Sequence, residues 1–231
     1  FFCAEENLRG AFSPGLRKSI LGPAGAIWPK LDWAPRPLRW KTTLLSLAQS
    51  RAEAYARAVA ANVPEVMAAV RSADFRSALG AYDPASVIAQ AMPQDGHPLL
   101  AAQQADLAVW LPGRMLTKVD RASMAHGLEV RPPLLDHTLV EWAGGLAPTF
   151  KLAGGTGKRV LKDALRSRLP DDILDRRKQG FSPPLGEWLS LPDGPLDRLK
   201  SSQRWRNCGL FDAAAVMSMI ERHERGGANL A

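Results

Sequence analysis

Cysteine is scarce in this sequence, whose 231 residues contain only Cys3 and Cys208. Two cysteines are too few for a disulfide framework, and neither has neighbours at the spacing of a zinc site. The histidines His126 and His137 are not at metal-ligand spacing either. The sequence therefore indicates a reducing compartment, with the cytoplasm as the default, and it predicts no metal ligands.

Long apolar runs are absent as well. Arg, Glu or Gln interrupts every alanine-rich stretch, so no window reaches the roughly 18 to 20 apolar residues that span a bilayer. We therefore expect no membrane span. Apolar residues nevertheless make up 46% of the sequence, which excludes wholesale disorder.

Alternation of apolar and polar residues, the pattern of a half-buried strand, forms no long run before Gly96. Spacings of three and four predict helices instead, one of them over Lys41 to Ala61 with a break near Ser50. We expect a later helix, which begins at Pro98, to end at Pro112 and Gly113. The predicted fold class is therefore mainly α, with further helices over residues 16–21, 65–71, 73–79, 84–92, 115–126, 138–146, 158–169, 185–189 and 213–225.

Helix ends carry their own signals. Ser72, Asp136 and Asp212 each precede a predicted helix, and their side chains can accept hydrogen bonds from its first backbone N–H groups. Gly127 follows a predicted helix at a position that favours left-handed backbone. These four residues are predicted caps.

The net charge of +7 arises from 30 basic and 23 acidic residues. Such a balance suits a polyanionic partner, either a nucleoside triphosphate or a nucleic acid, but a solvated surface is the simpler explanation. The arginines are scattered, and the seven tryptophans do not cluster among them as they do where bases stack. Nucleic acid is therefore not the expected partner.

Residues 111–136 concentrate groups that handle anions. Asp120 and Arg121 stand side by side, although such neighbours are often only a surface pair worth under about 1 kcal/mol. Glu129 and Arg131 precede two prolines, which favour an extended loop between two helices. Two roles are open for this second pair: a buried ion pair that fixes the loop, or direct contact with a substrate.

A flexible glycine-rich turn, residues 154–157, stands directly before Lys158. We place Lys158 in the first turn of a helix, where a cation is disfavoured by about 0.3–1 kcal/mol because it lies at the positive end of the dipole. A bound anion would explain that placement, and the N–H groups of the turn are available to the same anion. Alone, the pattern is also that of an ordinary helix start. It is not a Walker A loop, because Arg159 replaces the required Ser or Thr.

Three motifs in this order carry a family resemblance. Lys118 to Asp136 reads K-V-D-R-x-S-M-A-x-x-x-E-x-R-x-P-x-x-D, Gly155 to Lys158 reads G-x-G-K, and Lys178 to Trp188 reads K-x-G-F-x-x-P-x-x-x-W. Together they resemble the C-terminal part of the synthetase domain of glutamine-hydrolysing asparagine synthetases. The run from Trp28 to Arg36 also looks like the branch of that family associated with exosortase and exopolysaccharide clusters.

The resemblance implies both a fold and a reaction. The fold is the helical portion of an α/β adenine-nucleotide α-hydrolase-like (PP-loop ATPase) synthetase domain. The reaction uses ATP and Mg²⁺ to adenylate a carboxylate, aspartate by default, and then transfers glutamine-derived ammonia to form an amide. By the same resemblance Lys158 and Asp120 are catalytic, and Lys178, Gly180 and Phe181 form a lid or pocket wall. Substrate or nucleotide is bound by Arg121, Glu129, Arg131, Gly155 and Gly157.

Two motifs of that family are missing from this sequence. They are the pyrophosphate-binding Ser-Gly-Gly-x-Asp-Ser loop and the acidic Gly-Asp-Gly-x-Asp-Glu segment. We therefore expect a fragment that is inactive alone, with Mg²⁺ bound mainly by the missing half and with the glutaminase and PP-loop portions as its partners. A homodimer is a further expectation. The expected segments are 1–95 (variable, helical), 96–190 (motif-bearing) and 191–231 (helical tail).

Two other functions stay open from the sequence. One is a degenerate, non-catalytic family member that acts as a scaffold. The other is a basic helical module that binds nucleic acid, which would show a steep dependence of binding on salt.

Overall fold

The computed structural model describes residues 2–29, 40–60, 64–177 and 184–225. Helices dominate this part of the chain, which confirms the prediction of a mainly α fold. The α-helices are Phe2–Gly10, Pro14–Leu16, Gly22–Ile27, Trp40–Ala48, Arg51–Val59, Pro64–Val70, Ala73–Leu79, Ala85–Ala91, Pro98–Ala105, Thr117–Met124, His137–Gly145, Pro148–Lys151, Arg159–Leu165, Asp171–Leu174, Leu185–Leu189, Pro195–Ser201 and Ala213–Glu224. Wider π-helical segments cover Arg17–Leu21 and Asp106–Leu116, a 3-10 turn covers Pro133–Leu135, and two short strands are Leu152–Ala153 and Thr156–Gly157.

The chain forms two compact units. The first comprises Phe1–Val59 and Pro84–Arg176, and the second comprises Ala60–Asp83 and Arg177–Ala231. None of the helices in the described ranges combines the length and apolar content that a bilayer-spanning segment needs.

The core of the first unit is built largely from alanine. Small side chains let helix backbones approach closely, and the larger Ile88 and Met92 fill the space between them, each contributing about 1.5–3 kcal/mol by burial. Ala105, at the centre, is completely inaccessible to solvent. The cluster consists of Ala52, Tyr55, Ile88, Met92, Ala101, Ala102 and Ala105.

A buried polar network joins the first helix to the two that follow the undescribed segment 30–39. Glu6 accepts hydrogen bonds from Nε of Arg9 at 2.5 Å and from Nε of Arg51 at 2.8 Å. Nearby, Oγ of Ser46 donates to Glu5 at 2.8 Å, and Arg9 also donates to the carbonyl of Ser46 at 3.0 Å. Removing charged groups from water is expensive, so each of these groups depends on its partners.

The predicted helix caps are largely confirmed. Ser72 accepts a hydrogen bond from the N–H of Phe75 at 3.0 Å, and Asp212 accepts one from Ala215 at 3.0 Å. The predicted break near Ser50 separates Trp40–Ala48 from Arg51–Val59. Local sequence signals therefore determine most helix boundaries here.

One predicted helix end is wrong. Pro112 and Gly113 do not stop the helix that begins at Pro98, because the chain continues through the π-helical segment Asp106–Leu116 into Thr117–Met124. A π-helical turn is wider than an α-turn and shifts its hydrogen bonds by one residue, which makes room for the proline ring. Oγ1 of Thr117 donates to the carbonyl of Pro112 at 2.7 Å and helps to close this turn.

In the second unit, two distant stretches meet edge to edge. Arg71 and Phe211 form an isolated antiparallel bridge. The N–H of Ser72 donates to the carbonyl of Leu210 at 3.0 Å, and the N–H of Asp212 donates to that of Val70 at 2.9 Å. This pairing brings the start of Ala213–Glu224 beside the end of Pro64–Val70.

Candidate active site

The glycine-rich turn is the loop of a small β-hairpin. Leu152 pairs with Gly157 and Ala153 pairs with Thr156 in antiparallel register. Gly154 and Gly155 have φ angles of +57° and +80°, the left-handed values that two-residue hairpin loops require. The turn predicted over residues 154–157 is confirmed at Gly154 and Gly155, whereas Thr156 and Gly157 form the second strand.

Lys158 follows the second strand and adopts left-handed backbone, with φ +58° and ψ +34°. It occupies the N-cap position, and the helix begins at Arg159, so its predicted place in the first turn is wrong by one residue. A non-glycine residue is disfavoured in this conformation by about 1–2 kcal/mol. Strain of this kind persists where the surroundings impose it, often at functional sites.

The side chain of Lys158 is exposed, and no hydrogen bond or ion pair to it occurs within the described ranges. Its neighbour differs, because Arg159 lies 3.6 Å from Asp163 in an ion pair and donates to the carbonyl of Thr149 at 3.5 Å. The chain therefore satisfies the arginine internally and leaves the lysine ammonium available.

Asp120 and Arg121 lie exposed on the helix Thr117–Met124. Adjacent residues on a helix point in different directions, and no ion pair joins these two in the part of the chain that the structure describes. The carbonyl of Asp120 accepts from Oγ of Ser123 at 3.1 Å, and the following turn closes at Gly127 with φ +66°, as predicted. Both charged groups are thus available to a partner outside this helix.

Glu129 and Arg131 form an ion pair in the predicted extended loop, with Nε of Arg131 donating to Oε1 of Glu129 at 2.7 Å. The arginine side chain is 85% exposed and the glutamate side chain 69% exposed. The alternative of a buried ion pair is therefore wrong. An exposed pair contributes at most about 1 kcal/mol to stability, so both groups are accessible to a ligand.

Asp136 ends this loop as the predicted N-cap. Its carboxylate accepts from the N–H groups of Thr138 and Leu139 at 3.0 and 3.4 Å. Hydrogen bonds lower the pKa of Asp136 below its usual value, and the bond from the hydroxyl of Thr138 has a larger effect than those from the N–H groups. The carboxylate of Asp136 is therefore occupied in capping the helix His137–Gly145.

The site residues lie on two separate pieces of the first unit. Lys158, Gly155 and Gly157 belong to the hairpin, whereas the loop and helix of residues 117–131 carry the other candidates. Among the described residues, no hydrogen bond or ion pair links the hairpin glycines or Lys158 to Asp120, Arg121, Glu129 or Arg131. The same ranges contain no cluster of three His, Cys, Asp or Glu residues suited to a metal ion.

Lys151 was missed by sequence reasoning. It directly precedes the hairpin, and its Nζ donates to Oε1 of Gln103 at 3.1 Å and to the carbonyl of Gly144 at 3.3 Å. Partial burial lowers the pKa of Lys151. Nothing in the sequence pattern connects it with a glutamine 48 residues away.

The family model described as asparagine synthase matches residues 17–231. The chain belongs to the asparagine synthase family. Within it, a Mycobacterium tuberculosis protein named after glutamine-hydrolysing asparagine synthetases is 35% identical over 135 residues, covering 57% of this chain and 20% of that protein. Asparagine synthetase 1 of Bacillus subtilis is 36% identical over 87 residues, covering 38% of this chain and 14% of the relative. The amidase chyE of Penicillium rubens is 28% identical over 137 residues, covering 54% and 20%.

The chain thus spans about one fifth of the length of the first of these relatives. No solved structure matches it. The resemblance to the exopolysaccharide branch stays a prediction, because these comparisons show the family and not the branch. Residues 30–36 of its supporting run lie outside the described residues. The predicted lid, residues 178–181, lies outside them too.

Proposed function

We propose that this chain forms the Lys158-bearing part of an ATP-dependent, glutamine-hydrolysing amidotransferase. The reaction adenylates a carboxylate, aspartate by default, and ammonia released from glutamine then displaces AMP to leave an amide. Membership of the asparagine synthase family supports this class of carbon-nitrogen ligase.

The observation that carries the proposal is the backbone of Lys158. A lysine in left-handed conformation, exposed and without an ion-pair partner among the described residues, is poorly explained by stability. It is well explained by chemistry, because a fixed ammonium stabilises the negative charge that develops when a carboxylate attacks the α-phosphate of ATP. Removing one such preorganised contact typically lowers turnover by about 100- to 1,000-fold.

The other candidates receive supporting roles in this proposal. Asp120 helps to orient catalytic groups, and Arg121 with the exposed Glu129–Arg131 pair binds the nucleotide or the acid. Gly155 and Gly157 let the hairpin approach the phosphates. We propose that Mg²⁺ is held mainly by the PP-loop portion of a longer protein.

Apolar residues around the site favour a larger assembly. Several large apolar side chains on residues 116–134 are between 36% and 63% exposed, and a group of exposed apolar side chains next to a polar motif is typical of a surface that a partner covers. We propose that the glutaminase and PP-loop portions of a longer protein provide that surface. The exposed side chains are Leu116, Val119, Met124, Leu128, Val130 and Leu134.

ATP–pyrophosphate exchange in the full-length protein tests the assignment. We expect Lys158→Ala to reduce exchange by at least about 100-fold while ATP binding, measured by calorimetry, is retained. Lys18→Ala, at another exposed lysine, is the matched control and should leave exchange unchanged. If the Lys158→Ala variant exchanges pyrophosphate as fast as the wild type, the role of the lysine is refuted. If the wild type itself shows no exchange, the non-catalytic scaffold is favoured.

A further inference from the structure

We propose that Lys151 is a positioning residue, which fixes the hairpin so that Lys158 is held in its left-handed, exposed conformation. The inference rests on the proposed function, because it concerns how the same lysine is aimed. It starts from the geometry around a side chain that no sequence motif includes.

Lys151 is anchored to two elements at once. Its Nζ donates to Oε1 of Gln103 and to the carbonyl of Gly144, at 3.1 and 3.3 Å. Gln103 lies on Pro98–Ala105, the helix that supplies Ala101, Ala102 and Ala105 to the core. The ammonium therefore ties the start of the hairpin to a helix of the core and to the end of His137–Gly145.

The hairpin connects Lys151 to Lys158 through two strands of only two residues each. Lys151 adjoins Leu152, whose Cα pairs with Gly157, and Gly157 adjoins Lys158. The loop between the strands is closed by two left-handed glycines, so it has little freedom of its own. A displacement of Lys151 therefore moves the backbone that leads into Lys158.

A strained residue needs such support. The left-handed conformation of Lys158 is disfavoured by about 1–2 kcal/mol in isolation, so it persists only if neighbouring contacts impose it. One contact comes from beyond the lysine, where Arg159 donates to the carbonyl of Thr149 at 3.5 Å. Lys151 supplies the second from the residue before the first strand, so the ends of the segment from Thr149 to Arg159 are bonded to each other and to the rest of the unit.

The test compares Lys151→Met with Lys41→Met in the full-length protein. Lys41 is a matched control, since its Nζ also donates to two carbonyls, those of Ala26 and Trp28, at 3.2 and 2.9 Å. For Lys151→Met we expect the kcat of ATP–pyrophosphate exchange to fall about 10- to 100-fold with KM for ATP unchanged. Amides of residues 152–158 should exchange with deuterium faster, whereas those of 98–105 should not.

Two further variants sharpen the test. Lys151→Arg keeps donors for both acceptors and should restore most of kcat. Gln103→Leu combined with Lys151→Met should be no worse than Lys151→Met alone, because Lys151→Met already removes the bond to Gln103.

The outcomes separate this inference from the proposed function. Unchanged kcat in Lys151→Met, beside an inactive Lys158→Ala, overturns the positioning role and leaves the function intact. The positioning role is also overturned if kcat falls, KM rises and thermal stability falls together, with no recovery in Lys151→Arg. That is the result expected of a merely structural lysine. An active Lys158→Ala defeats the proposed function instead, while deuterium exchange still reports whether Lys151 holds the hairpin.

Discussion

Neutralising Glu6 should destabilise the protein strongly. Its side chain is only 4% exposed and accepts from both Arg9, at 2.5 Å, and Arg51, at 2.8 Å. In Glu6→Gln the amide retains one acceptor but presents a donor to the other arginine, so the buried Arg9 charge loses its counter-charge. Breaking a buried ion pair in this way costs about 3–5 kcal/mol.

The expected size of the change follows from the burial of each partner. Arg9 is 6% exposed, and Glu6 is its only ion-pair partner among the described residues. Arg51 is more accessible and keeps its bonds to the carbonyls of Gln94 and Gly96. We therefore expect the lower half of the range, about 3–4 kcal/mol, nearly all of it from Arg9.

Urea unfolding followed by circular dichroism measures this change. Glu141→Gln, at an exposed glutamate of the same unit, is the control and should shift the free energy of unfolding by less than about 0.5 kcal/mol. Glu6→Leu combined with Arg9→Leu should recover much of the loss, because no unpaired buried charge remains. Equal stability of Glu6→Gln and Glu141→Gln would contradict the assigned network.

Two other predictions concern the ends of the motif loop and the hairpin. Gly155→Ala should destabilise the hairpin by about 1 kcal/mol and speed deuterium exchange of its amides. The space around Gly155 is open, but a side chain is strained at φ +80°. Gly145→Ala is the control and should have neither effect, because Gly145 lies in open space at an ordinary φ. The pKa of Asp136 is lower in the folded chain than its ordinary 3.8, so its cap is fully effective above that value and is lost as the pH falls below it. Amide protection of His137–Gly145 should therefore decline with acidification, and a pH-independent Asp136→Asn variant is the check; an identical pH profile in both proteins would refute the cap.

Local signals in the sequence were sufficient for much of the fold. Ser72, Asp136 and Asp212 were identified as caps because an N-cap needs only one side chain and the N–H groups two or three residues later. The left-handed Gly127 was identified on similarly local grounds. Features that depend on neighbours three or four residues apart are therefore readable without the structure.

Features that depend on distant or atypical contacts were not. The strands of the hairpin have two residues each, too few for a period-two pattern. Pro112 lies inside a π-helical segment, an exception to the rule that proline ends helices. The Lys151–Gln103 bond joins residues far apart in sequence, which no local pattern encodes.

The candidate site shows the same division. Pairing between Glu129 and Arg131 was one of the two roles that the sequence left open, and their exposure was not predicted, because burial depends on every element packed against the loop. The roles of Lys158 and Asp120 come from the family resemblance and stay predictions. What the structure adds is the backbone conformation of Lys158, which residue types alone do not reveal.

That conformation also bears on how the gene evolves. Glycine or asparagine fits left-handed backbone with less strain than lysine, so selection for folding alone would replace Lys158 by one of them. Copies that have lost their chemistry should therefore drift towards glycine or asparagine at this position, whereas working copies should retain the strained residue.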